Sequence, residues 1–181
     1  MASVTQPLRD EHKELLPLLE RVRVAADAVG TGAGFNAKLD GAYDFLAGHL
    51  LPHATAEEAA LYPVVARTMG STDATKTMQM DHTEVHRLTE ELGRVRNALG
   101  GAAPSDAQSS ELRALLYGLY TLVSVHFEKE EQVYLPLLDA NLGEAEAAAM
   151  FEAMESAAQR LDLFAPKFEE PSGGTTDTIA G

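Results

Sequence analysis

Apolar residues recur along this chain at alternating steps of three and four, the spacing that places them on one face of an α-helix. Clusters of glycine, proline and serine near residues 30–34, 70–71 and 100–105 interrupt the pattern. Between these breaks the pattern predicts four long helices, over about 6–29, 35–68, 73–99 and 107–140.

Three of these helices carry a continuous inward stripe. The first stripe contains Leu8, His12, Leu15, Leu19, Val22, Ala26 and Val29. The second contains Phe35, Leu39, Ala42, Leu46, His49, His53, Glu57, Ala60 and Val64. The stripe of the fourth helix contains Leu112, Leu115, Leu119, Leu122, His126, Glu130, Val133 and Leu137. One buried face per helix predicts an all-α fold, an antiparallel up-down-up-down four-helix bundle.

The chain changes character after the fourth helix. Residues 143–165 are rich in alanine and predict a short fifth helix that packs through Met150, Met154, Leu161 and Phe164. From Pro166 onward the content of Pro, Gly, Ser and Thr predicts a flexible tail. The expected organisation is one domain over 1–165 and a tail over 166–181.

Four prolines lie inside or late in the predicted helices. They are Pro17, Pro52, Pro63 and Pro136. Because proline has no N–H and clashes with the preceding turn, each is expected to kink or end its helix locally.

Ionisable residues interrupt the apolar stripes at related places. The residues concerned are His12, His53, Glu57, His82, His86, His126 and Glu130. Burying this many ionisable groups without partners is very unfavourable, and a shared metal removes much of that penalty. The pattern therefore predicts that these seven side chains ligate metal.

Two segments of the chain repeat one another. His53 and His126 are each followed four residues later by Glu, then by a second Glu, and ten residues later by Pro. Residues four apart share a helix face, so each HisxxxGlu aims an imidazole and a carboxylate at one point. Upstream, His12 precedes His53 by 41 residues and His86 precedes His126 by 40, which makes His82 an addition to the second copy.

Several candidate roles stay open. His82 has no counterpart in the first helix and is a ligand, an outer residue or a surface residue. His49 is interpreted as a core or pocket histidine. Glu58 and Glu131 are expected to be solvated or to support ligands, with Glu131 a rival to Glu130. Tyr62 packs by default, and it reaches the metal if Pro63 distorts the helix.

Composition narrows the chemistry. The 181 residues contain no cysteine, which excludes disulfides, thiolate metal sites and iron–sulfur clusters. The net charge of −14 disfavours nucleic acid and anionic membranes as partners. No apolar stretch approaches the roughly 20 residues of a membrane span, and no signal segment is visible at the start, so a cytoplasmic location is expected.

The motifs DEHKEL, HATAEEAALYP, DHTEVHRL and HFEKEEQVYLP resemble the hemerythrin-like, or HHE cation-binding, family over residues 6–140. The resemblance implies a four-helix bundle around two iron ions, Fe2+ or Fe3+, with an oxo or hydroxo bridge. It implies that Glu57 and Glu130 bridge the irons and that His12 and His53 bind one of them. It assigns the other iron to His82, His86 and His126.

The second bridge remains open between two residues. Oxygen-carrying hemerythrins usually have Asp five residues after the last histidine, where this chain has Glu131. Glu130 gives the four-residue spacing found in many bacterial hemerythrin-like proteins.

Three hypotheses follow for function. In the first, the di-iron protein binds or senses O2, or a related small oxidant such as peroxide or NO, at an iron position that the ligands leave open. In the second, the same site is a catalase-like or NO-related redox enzyme, which Tyr62 near the iron would favour. In the third, the domain is an iron-responsive interaction module whose protein partner the sequence does not name.

Overall fold

The computed structural model describes residues 3–32 and 34–162, and all regular structure in this part of the chain is helical. The α-helices are α1 (Gln6–Ala28), α2 (Phe35–Phe45), α3 (Leu51–Ala56), α4 (Tyr62–Met69), α5 (Lys76–Leu99), α6 (Asp106–Lys129), α7 (Leu135–Asn141) and α8 (Glu144–Asp162). The π turns are π1 (Leu46–Leu50), π2 (Glu57–Leu61) and π3 (Glu130–Tyr134).

The π turns lie inside longer helices and do not end them. Residues 35–69 form one helix through π1 and π2, and residues 106–141 form another through π3. With α1, α5 and α8 this makes five helices in the described residues, close to the predicted bounds, although α5 begins three residues later than predicted.

Each π turn is followed at the second position by a proline. Pro52, Pro63 and Pro136 stand in the first turns of α3, α4 and α7. A proline cannot donate to the carbonyl one turn earlier, and a widened turn relieves the resulting clash. The predicted local distortion therefore takes the form of π turns at these three positions, whereas α1 continues through Pro17.

The π turns also move the inward stripe by one residue, because a π turn contains one residue more than an α turn. At the end of π3 the buried residue is Tyr134, and Val133, which was predicted to be inward, is 54% exposed. At the end of π1 the buried residue is Leu50, and His49 is exposed. An inward position is wrong for Val133 and for His49, but His49 lines a surface pocket, the other role predicted for it. The seven stripe positions of the first helix are all buried as predicted.

The apolar core has two parts that leave a polar level between them. One cluster includes Leu19, Leu46, Leu92 and Leu119, beyond the ligand level on all four long helices. The other cluster, on the far side of that level, includes Leu8, Met78 and Leu135. Six of the seven predicted metal ligands therefore lie at one depth in the interior.

The fifth helix, α8, packs on the second cluster. Met150 and Met154 are buried there, as predicted. Phe164 and the predicted tail over 166–181 lie outside the described residues, as does the side chain of Leu161, so the domain division stays a prediction. No helix in the described part of the chain is long and apolar enough to cross a lipid bilayer.

Candidate metal centre

Six of the seven predicted ligands converge in the interior. They are His12 from α1, His53 from α3, Glu57 from π2, His82 from α5, His126 from α6 and Glu130 from π3. All six are buried, and both carboxylates are wholly inaccessible. Five of the side chains form two groups that could each hold a metal ion, His12–His53–Glu57 and Glu57–His82–His126.

Glu57 belongs to both groups because its two oxygens face opposite ways. Its Oε1 lies 3.1 Å from His53 Nε2 and 3.8 Å from His12 Nε2. Its Oε2 lies 3.4 Å from His82 Nε2. A carboxylate in this position can hold a cation with each oxygen.

Glu130 has the same arrangement across the centre. Its Oε2 lies 3.5 Å from His12 Nε2, and its Oε1 lies 3.4 Å from His126 Nε2. Glu131, its rival in the sequence, lies outside the cluster, with Oε1 2.8 Å from His12 Nδ1. The geometry therefore favours Glu130 as the second shared carboxylate.

Each of the four clustered histidines contacts an outer carboxylate through Nδ1. The pairs are His12 with Glu131 at 2.8 Å, His53 with Glu11 at 2.9 Å, His82 with Glu58 at 3.0 Å and His126 with Asp81 at 3.1 Å. A carboxylate at Nδ1 fixes the tautomer with the proton on that nitrogen. Every Nε2 then presents a lone pair to the centre.

Glu11 and Asp81 are functional residues that the sequence analysis missed. The available signal was an acidic residue directly before the histidine in both DEH and MDH. Two basic side chains form ion pairs with the outer carboxylates. Arg9 Nη1 lies 2.5 Å from Glu131 Oε2, and Lys129 Nζ lies 2.5 Å from Asp81 Oδ2.

The contacts also revise the internal repeat. The residues before two of the histidines contact the motif histidines: Glu11 contacts His53, and Asp81 contacts His126. The residues after the two shared carboxylates contact the other two: Glu58 contacts His82, and Glu131 contacts His12. The counterpart of His12 is therefore His82. The sequence comparison had paired His12 with His86 because the spacing to the next motif was closer.

His86 does not join the cluster. Its side chain is 58% exposed, and its Nδ1 lies 3.6 Å from Glu90 Oε1. Four residues of α-helix rotate about 40° beyond one full turn. When His82 faces the interior, His86 is therefore rotated away from it toward the side of the helix. His86 lines a surface pocket beside His82, and its ligation stays a prediction.

Several buried atoms at the centre lack the partner that burial demands. No hydrogen-bond partner among the described residues reaches His12 Nε2, His53 Nε2, both oxygens of Glu57 or Glu130 Oε2. The Nε2 atoms of His82 and His126 lie 2.9 Å apart, which brings two lone pairs together when both protons are on Nδ1. Cations between these atoms would remove both penalties, so the donor set fits a pair of metal ions.

The charges of these groups favour each other in the metal-free protein. Burial opposes the imidazolium form of His53, but the nearby Glu57 and Glu11 outweigh it and hold the pKa of His53 well above its ordinary value. Burial likewise opposes ionisation of Glu57, yet His53, His12 and His82 keep the pKa of Glu57 well below its usual range. The pKa values of His12 and His126 are raised by their carboxylates in spite of burial. Without a metal, protons on the histidines therefore partly balance the negative charge of the buried carboxylates.

Tyr62 also reaches the centre. Its hydroxyl donates to Glu130 Oε1 at 3.1 Å and lies 3.2 Å and 3.3 Å from the Nε2 atoms of His82 and His126. The π turn brings it there, because the Tyr62 N–H bonds to the Glu57 carbonyl five residues earlier. Burial and the carboxylates of Glu57 and Glu130 raise the pKa of Tyr62, so without a metal it is a neutral donor.

A small cavity touches both groups of ligands on the side of the first core cluster. Its volume is about 10 Å³, and it is bordered by His53, His82 and His126 together with apolar side chains such as Val85 and Phe127. This is about the space of one water-sized molecule.

One of three comparisons with known proteins supports a cation-binding domain. The family model described as the hemerythrin HHE cation-binding domain matches residues 3–138, which is most of the chain. A search of curated proteins gave no match, and neither did a search of solved structures. The match spans all six converging residues, and the chain belongs to the hemerythrin HHE cation-binding family.

Proposed function

We propose that this chain is an up-down-up-down four-helix bundle that holds two irons and binds or senses O2, or a related small oxidant, at an open iron position. His12 and His53 would hold one iron, and His82 and His126 would hold the other. Glu57 and Glu130 would be shared. Two histidines and two shared carboxylates leave each iron short of six ligands, which leaves room for a small molecule.

The donor chemistry supports iron. Imidazole and carboxylate together suit iron, manganese or zinc, and the chain has no cysteine that would favour softer metals. An iron pair supplies two electrons, enough to take O2 to the peroxide level.

The observation that carries the proposal is the cavity of about 10 Å³ beside three of the histidines. Apolar side chains such as Val85, Val123 and Phe127 border it beside the ligands, and a space of about one water-sized molecule suits a small ligand and is far too small for an organic substrate. Tyr62 supplies a hydroxyl donor at the centre.

Metal analysis and optical spectroscopy of the aerobic protein test the proposal. We expect two irons per chain and the absorption bands of an oxo or hydroxo bridge. Reduction and re-exposure to O2 should change the spectrum reversibly if the protein binds O2. A chain that takes up one zinc and no iron would contradict the centre, and an iron-loaded chain indifferent to O2, NO and peroxide would contradict the function.

The position of Tyr62 favours a second candidate, a catalase-like or NO-related redox enzyme on the same site. A cation at the His82 and His126 side would reverse the influence of the carboxylates and favour the tyrosinate form. The phenolate oxygen then lies where it could bind that cation, or accept a proton and return it to a reacting molecule.

Replacing Tyr62 by Phe separates the two candidates. If the site is an enzyme, Tyr62→Phe should lower peroxide turnover by about 10-fold or more. A side chain positioned for proton transfer usually contributes at least this much to the rate. It should also remove a tyrosinate-to-iron charge-transfer band.

The matched control is Tyr134→Phe. Tyr134 is also buried, but its hydroxyl donates to the Ala74 carbonyl away from the ligands. Equal turnover in both variants and the wild type would leave only the binding or sensing function.

A further inference from the structure

The two repeated halves differ in the residue after the motif histidine. Phe127 follows His126, and Ala54 follows His53. The Phe127 ring stacks on His12 with a centroid separation of 4.6 Å and an angle of 21°, and it meets the edge of His53 at 5.9 Å. It therefore closes the interior beside the His12 and His53 half.

Ala54 fills far less space at the equivalent position of the other half. It is buried and borders the inner cavity together with His82 and His126. The opening in the interior thus lies where the repeat replaces a phenyl ring by a methyl group.

A larger surface pocket begins on the outer side of the same residue. This pocket has a volume of about 290 Å³ and is lined by polar side chains, among them Glu58, Thr55 and His86. Ala54 and His82 are the two residues that the linings of both spaces share.

We infer that small neutral molecules of the size of O2 or NO enter through the surface pocket beside His86, pass between Ala54 and His82, and arrive at the His82 and His126 half. Ala54 determines this access, and the larger Phe127 ring fills the equivalent position beside His12 and His53. The inference rests on the proposed function, since it supposes a centre that small oxidants reach. The apolar borders and small volume of the inner cavity select for molecules that are neutral and diatomic in size.

Stopped-flow binding of NO to the reduced, iron-loaded protein tests the route. Ala54→Phe should lower the association rate constant about tenfold or more, because a ring at this position overpacks the wall. Iron content and melting temperature, measured on the same samples, show whether the centre and the fold are retained. Ala54→Val should give a smaller decrease in the same direction, and it carries the test if the Phe variant does not fold.

Thr55→Phe is the matched control. Thr55 is the next residue on α3, is exposed and lines only the surface pocket, so the same added ring should change the rate less than about twofold. Wild-type association rates in fully iron-loaded Ala54→Phe and Ala54→Val would overturn the route while leaving the proposed function intact. A wild-type protein that binds two irons but no NO, O2 or peroxide would overturn the proposed function itself.

Discussion

Glu57→Gln should weaken iron binding in both halves of the centre. The two oxygens of Glu57 face different histidine groups, and both lack a hydrogen-bond partner among the described residues. Glutamine keeps the shape but removes the negative charge, and its NH2 group directs protons toward one of the two cation positions. We expect the affinity for the iron pair to fall by more than about 100-fold, beyond the usual effect of losing an outer support. Iron per chain after reconstitution and competition with a ferrous chelator measure this fall.

Glu58→Gln is the control for charge and position in the sequence. Glu58 is 44% exposed and touches only the outer nitrogen of His82. Its replacement should weaken iron binding by about 10- to 100-fold at most. Glu57→Gln protein that still binds two irons as tightly as Glu58→Gln protein would refute the shared role of Glu57.

The pair Glu130→Gln and Glu131→Gln applies the same test to the second bridge. Glu130 faces both halves, whereas Glu131 contacts His12 Nδ1 and Arg9. The larger loss of iron is expected for Glu130→Gln. The reverse order would assign the bridge to Glu131.

The helices and the level of the site follow from local rules that the sequence displays. The stripe of α1 depends only on helical periodicity, and each of its predicted positions is buried. The two HisxxxGlu motifs likewise fix the ligand level, because residues four apart share a face in any α-helix. These features needed no tertiary information.

The features that periodicity missed all involve a change in helical geometry or a choice between helix faces. A π turn shifts the inward face locally by about one position, which exposes Val133 and brings Tyr62 inward. Proline marks the place, but its presence alone does not tell a kink from a π turn. Sequence spacing also favoured His86 over His82 as the counterpart of His12 in the repeat. Spacing alone does not show which face of α5 is turned to the centre.

The metal should stabilise the fold, and its contribution should grow as the pH rises. Metal at about 1,000 times its dissociation constant contributes about 4 kcal/mol to the free energy of unfolding. For a chain of this size that raises the melting temperature by about 10 °C. Removing the metal leaves buried ligand atoms without partners, so the metal-free protein should be less stable.

The pH dependence follows from the direction of the pKa shifts in the metal-free protein. The raised pKa values of His12, His53 and His126 add stability below the ordinary value of 6.5, and this is lost as the pH rises through their higher folded values. The lowered pKa of Glu57 adds stability above 4.5, which is lost only as the pH falls through its lower folded value. The metal-free chain therefore weakens on the alkaline side of about pH 6.5.

Metal binding has the opposite dependence, because the imidazoles must release their protons before they can bind a cation. The difference in melting temperature between metal-loaded and metal-free protein should therefore be larger at about pH 8 than at about pH 6. Thermal unfolding followed by circular dichroism at both pH values, with and without a chelator, measures it. Glu57→Gln protein, which lacks the shared ligand, should show little difference at either pH. A wild-type difference that narrows as the pH rises would mean that the protons of His12, His53 and His126 do not compete with the metal, and the centre would then have to lie elsewhere in the chain.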